Sequence, residues 1–125
     1  RVAAADLPEI VTAAVAADGS DAAEVVRGWV ADGVTAVCAQ SDETALVVLH
    51  GIREAGLRCP QDLAVMGVDA IPLGTVSAPP LTSVGFDAKT IVEVSVAAMM
   101  SELGYPSGQE PSSANVAHLI QRAST

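Results

Sequence analysis

The apolar positions of this chain change period along its length, from continuous runs to helical spacing and back. Residues 34–40 (VTAVCAQ) form a short apolar run rich in β-branched side chains, which suits a buried strand. Ser41 and Asp42 follow with side-chain oxygens able to cap the free N–H groups of a helix, and Glu43 suits its positive end. Ala45, Leu49 and Ile52 recur at helical spacing, Arg53 sits in the last turn, Gly56 supplies a left-handed stop and Pro60 lies beyond. Residues 63–68 (LAVMGV) return to the strand pattern and end at Asp69. Two buried strands joined through a helix run parallel, with a right-handed crossover.

The flanks extend this alternation. Residues 1–7 read as the tail of a helix ending at Pro8, and residues 10–17 (IVTAAVAA) as a strand. After the turn Asp18-Gly19-Ser20, Asp21 and Glu24 resemble a capping arrangement. Val25, Val26, Trp29 and Val30 mark one helical face, on which Trp29 reads as core packing, and Asp32-Gly33 stops the helix. Residues 70–80 (AIPLGTVSAPP) are turn-rich and neither continue the strand nor start a helix. Residues 81–84 (LTSV) form a short strand, and Asp87 caps a helix over residues 88–103 that is apolar on two stripes. Such a helix is expected to be buried on two sides. Gly104 ends it, residues 106–113 connect, and residues 116–121 form a last strand. The fold class is α/β, a parallel sheet with flanking helices.

In that frame Ser41, Asp42 and Asp69 fall at the carboxyl ends of parallel strands, the edge where open α/β sheets bind ligands. Ser41 and Asp42 read equally well as helix caps. The order and spacing of AQSDETALVVLHGIREAGLRCPQDLAVMGVDAIPLGTVSAPPLTSV resemble the effector-binding domain of the LacI family of bacterial transcription regulators. The matching features are a polar–Asp pair opening a helix, REAGLR-x-P-x-D, GxD after the next strand, and PPLTSV; IQRAST resembles the family's closing strand. The resemblance covers roughly residues 18–125.

The resemblance implies part of a periplasmic-binding-protein-like type I fold. Residues 1–80 are expected as an α/β lobe with the effector-site edge and the dimer surface. Residues 81–125 are expected as a crossover strand, a helix of a second lobe and a returning strand. It implies further that Ser41 and Asp69 contact the effector. Ala70 stands where the family usually has a second acid, Phe86 where some members have a polar contact, and Gly19 where some have an aromatic platform. Phe86 is therefore either an apolar wall to the ligand or plain packing. Leu46, Val47, Leu49 and Leu73 are expected at a homodimer contact.

Composition narrows the function classes. Hydrophobic residues make up 50% and aromatics 2%, so the core is aliphatic and base-stacking platforms are lacking. Six basic against fifteen acidic residues give a net charge of −9, and Lys89 is the single lysine. Phosphate backbones are neutralised by clustered Lys and Arg. DNA contact is therefore expected only through an N-terminal helix-turn-helix that this sequence does not include. The sequence opens at Arg1 rather than Met, as expected of a piece of a longer chain.

No apolar run is long enough to span a membrane, and the resemblance implies a cytoplasmic protein. Cys38 and Cys59 read as free, small, buried or half-buried thiols, and His50 and His118 as isolated. Neither a metal nor a cofactor is expected. No GxGxxG, GxxxxGK[ST] or GxSxG is present, and Asp42, Asp69 and Asp87 would hold a cation only if they converged. The expectation is a non-enzymatic sensor of a sugar-like molecule. The alternative is a periplasmic sugar-binding protein of an ABC transporter.

Overall fold

A computed structural model describes residues 10–105 and 116–125. Its elements run α1 (Ala22–Ala31), β1 (Ala36–Cys38), α2 (Asp42–Glu54), β2 (Ala64–Val68), α3 (Leu73–Val76), β3 (Thr82–Phe86), α4 (Ala88–Glu102) and β4 (Ala117–Ile120). The strands lie in the order β1-β2-β3-β4. β1, β2 and β3 are parallel, with Cys38 opposite Met66 and Met66 opposite Thr82. β4 pairs antiparallel with β3, so the sheet is mixed rather than parallel throughout.

Helix α2 forms where its terminal chemistry and its apolar stripe agree. Ser41 is extended (φ −149°, ψ 163°) and its Oγ accepts from Thr44 N at 3.2 Å. Acidic side chains occupy the first turn and Arg53 the last, each favourable to the helix dipole. At the far end Gly56 (φ 74°) donates to Arg53 O and Leu57 N to Ile52 O, a Schellman closure that a Cβ at Gly56 would disfavour. The same pair of bonds ends α1 at Gly33 and α4 at Gly104.

The buried stripe of α2 is Ala45, Val48, Leu49 and Ile52, and it meets Val26, Leu63, Val65 and Leu81. Each large aliphatic side chain so buried contributes about 1.5–3 kcal/mol. Trp29 is half-buried against this cluster, as its helical position suggests. The two helices touch closely, since a Cβ on Gly51 would lie 2.6 Å from Ala22 O.

The last residues stitch β2 to β3. Ser124 is fully buried; its carbonyl accepts from Val65 N (2.8 Å), and its Oγ donates to Val65 O (2.6 Å) and accepts from Thr82 N (2.8 Å).

Several expectations change. Residues 10–16 form no strand, and Ile10 is 89% exposed. A strand needs a ladder partner, and β1 pairs only with β2 among the described residues. β1 itself is shorter than expected and mostly exposed, and Cys38 with it, since among the described residues β2 is its one strand neighbour and α2 packs on β2 rather than on it. Cys59 is half-buried, and burial pushes its thiol pKa up. Asp21 does not cap α1; its Oδ1 accepts from Ala16 N instead.

Residues 73–76 make one helical turn within the expected loop, where Leu81 N donates to Gly74 O. Helix α4 has the expected start and cap and ends one residue early, but none of its residues is buried and Met99 is 65% exposed. No described element packs over its apolar stripes. The expected helix at residues 1–7 and the connector at 106–113 lie outside the described residues.

Candidate functional site

Parallel register brings three chain ends to one edge. Cys38 is opposite Met66, so Ser41 and Asp69, each three residues further on, leave neighbouring strands at the same level. Val68 is opposite Val84, which puts Phe86 at the same edge of β3. Asp69 is exposed, Ser41 half-buried and Phe86 46% exposed.

Asp42 does not act as a cap. It is the first residue of α2 and is fully buried. Its Oδ1 accepts from Ser83 Oγ at 2.6 Å and its Oδ2 from Ile71 N at 2.8 Å. Ser83 Oγ in turn accepts from Ala70 N at 3.0 Å. A buried carboxylate is tolerable only when such donors replace water, and the amino end of α2 adds its positive dipole. Space for the carboxylate comes from Gly67, register partner of Ser83, where a Cβ would collide with Asp42 Oδ1.

This network closes on an unusual turn. Asp69 (φ 100°) and Ala70 (φ 53°) both occupy positive φ. Left-handed backbone in L-residues costs roughly 1–2 kcal/mol each and clusters at functional sites. Asp69 N is fixed by Val84 O at 2.9 Å, while among the described residues the Asp69 carboxylate has no partner. The edge therefore presents an exposed carboxylate with two acceptor oxygens, able to receive hydrogen bonds from paired hydroxyls.

Other expected residues have different places. Gly19 lies against His50 and Val47 on α2, nine and six residues past Ser41, and is not brought to Ser41 or Asp69. Asp87 caps α4, accepting from Thr90 N and Lys89 N; the Thr90 hydroxyl, ahead of these amides, holds its carboxyl below the ordinary value. With Asp42 buried and Asp87 so engaged, the three acids do not converge. Among the described residues no group of three or more His, Cys, Asp or Glu is placed to hold a metal.

Leu49 is not available to a partner, because α2 turns it into the core; Leu46 and Val47 are half-buried and Leu73 is 61% exposed. His50 is exposed and shares a hydrogen bond with Arg53 Nη2. The residues that sequence reasoning missed are Ser83 and Gly67. A glycine in a strand otherwise rich in valine was the available signal of a close approach.

Comparison with known proteins places the chain in a family. The model of the periplasmic binding protein-like domain matches residues 1–125. The HTH-type transcriptional regulator MalR of Streptomyces coelicolor is 32% identical over 91 residues, 73% of this chain and 26% of the relative. A solved LacI family transcriptional regulator from Arthrobacter sp. FB24 in complex with lactose aligns with a TM-score of 0.61 and 26% identity. That alignment covers 86% of this chain and 42% of the solved one. The transcriptional regulator CelR–cellobiose complex aligns with a TM-score of 0.62 and 29% identity, over 86% of this chain and 33% of its own. This chain thus spans 26% of the curated relative and well under half of either solved chain. No helix among the described residues is long and apolar enough to cross a membrane. The chain belongs to the periplasmic binding protein-like domain family, and within it resembles the ligand-binding region of LacI-type transcriptional regulators.

Proposed function

We propose that this chain is the later part of the effector-sensing region of a cytoplasmic LacI-type regulator. Its effector is a sugar or a related polyhydroxyl metabolite held at the Ser41–Asp69–Phe86 edge. The observation that carries the reading is the Asp69 carboxylate, exposed and without a partner among the described residues, on a left-handed turn at the ends of parallel strands. Ser41 adds one hydroxyl, and Phe86 an apolar wall against a sugar ring.

Residues 1–80 serve as one lobe, and residues 81–125 as crossover strand, second-lobe helix and return. The antiparallel β3–β4 pair and the unburied α4 support this division. Ligand between the lobes favours one arrangement of a homodimer, and so changes how N-terminal DNA-binding domains are presented. Leu46, Val47 and Leu73 lie at or beside the dimer contact. Lactose and cellobiose, bound by the two solved relatives, are the first sugars to try. The transporter reading has no observation in its favour.

The test is calorimetry of the intact regulator with both disaccharides, wild type against Asp69→Asn. Binding to one of them, weakened in the variant by about 1–3 kcal/mol, is expected. Unchanged affinity in Asp69→Asn would remove this edge from the site.

A further inference from the structure

We propose that Asp42 and Ser83 are positioning residues for the ligand, a buried latch that holds the Asp69–Ala70 turn in its left-handed form. The proposal rests on Asp69 being a ligand contact and goes on to name what aims it.

Two consecutive L-residues at positive φ do not hold that conformation on their own. The amides that follow Asp69 are each gripped by a side chain from another element: Ala70 N by Ser83 of β3, and Ile71 N by Asp42 of α2. The two gripping groups are bonded to each other at 2.6 Å, and both are fully buried. Asp42 reaches them only because Gly67 leaves its path open. Releasing the latch frees Ala70 to return to the ordinary right-handed or extended regions. The Asp69 carboxylate, fixed at its own amide by Val84 O, is then turned away from its present direction.

The experiment has two readouts on the intact regulator. The first is amide hydrogen exchange in Ser83→Ala and in the near-isosteric Ser83→Cys, which keeps the packing should the alanine variant fail to fold. Ala70 and Ile71 are expected to exchange at least tenfold faster, with Val65 in the core unchanged. The second is a double-mutant cycle with Asp69→Asn, titrated with cellobiose and with lactose. Loss of the latch is expected to weaken binding about tenfold in wild type and to have little further effect once Asp69 is Asn, since a carboxylate already absent cannot be misaimed. A purely structural serine would weaken both backgrounds alike, and that additive result overturns the proposal. Unchanged exchange at Ala70 and Ile71 overturns it too. If Asp69→Asn loses affinity while Ser83→Ala and Ser83→Cys keep it, the latch fails and the site stands. If wild type binds neither sugar, or Asp69→Asn binds as wild type does, the site reading falls and takes the positioning role with it.

Discussion

Gly67→Ala sets local preference against packing, and the two differ in sign. A glycine inside a strand is entropically unfavourable, so alanine there would ordinarily gain about 0.5–1 kcal/mol. In this fold the new methyl collides with Asp42 Oδ1 and stands 3.1 Å from Asp42 Cα and 3.2 Å from Ala45 Cβ. The carboxylate has to leave, and its bonds to Ser83 Oγ and Ile71 N go with it. Hydrogen bonds to a charged group contribute about 1.5–3 kcal/mol each. Lifting the first turn of α2 off β2 adds roughly 1–3 kcal/mol of overpacking. Net of the strand gain, the expected loss is therefore about 3–4 kcal/mol or more, a large share of a typical domain stability of about 5–15 kcal/mol. With a urea slope near ~2 kcal/mol/M, the midpoint moves down by about 2 M. Urea unfolding followed by circular dichroism and by Trp29 fluorescence measures it. A gain in stability, or a loss below about 1 kcal/mol, would refute the crossing of Asp42 over Gly67.

Three more predictions follow from separate parts of the chain. Gly28 is exposed in the middle of α1 with nothing within 4 Å of an added Cβ, so Gly28→Ala should raise stability by about 0.5–1 kcal/mol in the same urea assay. The Asp62 carboxyl is lowered from 3.8 to about 2 by the hydrogen bond from the Arg58 side chain and then that from its amide. A depressed folded pKa means the stabilisation is present above pH ~4 and is lost as pH falls towards 2, so Asp62→Asn should flatten the acid limb of an unfolding series within that window. Leu73→Glu places a charge on an exposed residue of the proposed dimer contact; sedimentation of the intact regulator should show a folded monomer, and an unchanged dimer would exclude this surface.

What could be read from the sequence was what local chemistry controls. Gly33, Gly56 and Gly104 mark three helix ends because a left-handed closing residue is a local demand, met within a single turn of chain. The β1–α2–β2 unit was legible for a related reason: its caps and its apolar periods agree. The direction of β4 was not, since a period of two reads the same forwards and backwards. Asp42 misled because serine and aspartate at a helix start are alike as caps, and only the opening at Gly67, in another element, draws the second one inward. Leu49 was read both on the apolar stripe with Ala45 and Ile52 and at the dimer contact, and the fold buries it with Val48 in the core. For α4, two apolar stripes predicted burial on two sides, but hydrophobicity states only that cover is favourable and cannot name the element that provides it. Asp69 was singled out by its position after a strand, whereas its backbone conformation depends on contacts from residues 13 and 29 positions away from the two that follow it.

The seam at Ser124 has a consequence in time. Its partners were made long before it, for Val65 precedes it by 59 residues and Thr82 by 42. As the chain emerges from a ribosome, β1, α2 and β2 are available early, but the amide and carbonyl of Val65 wait for a residue near the end of this stretch. Long-range closures of this kind are slow to form and leave unpaired strand groups open to other chains meanwhile. A nascent chain halted before Ser124 would hold the Asp69–Ala70 turn above an unfinished seam. That is the interval in which a chaperone would find the most to bind.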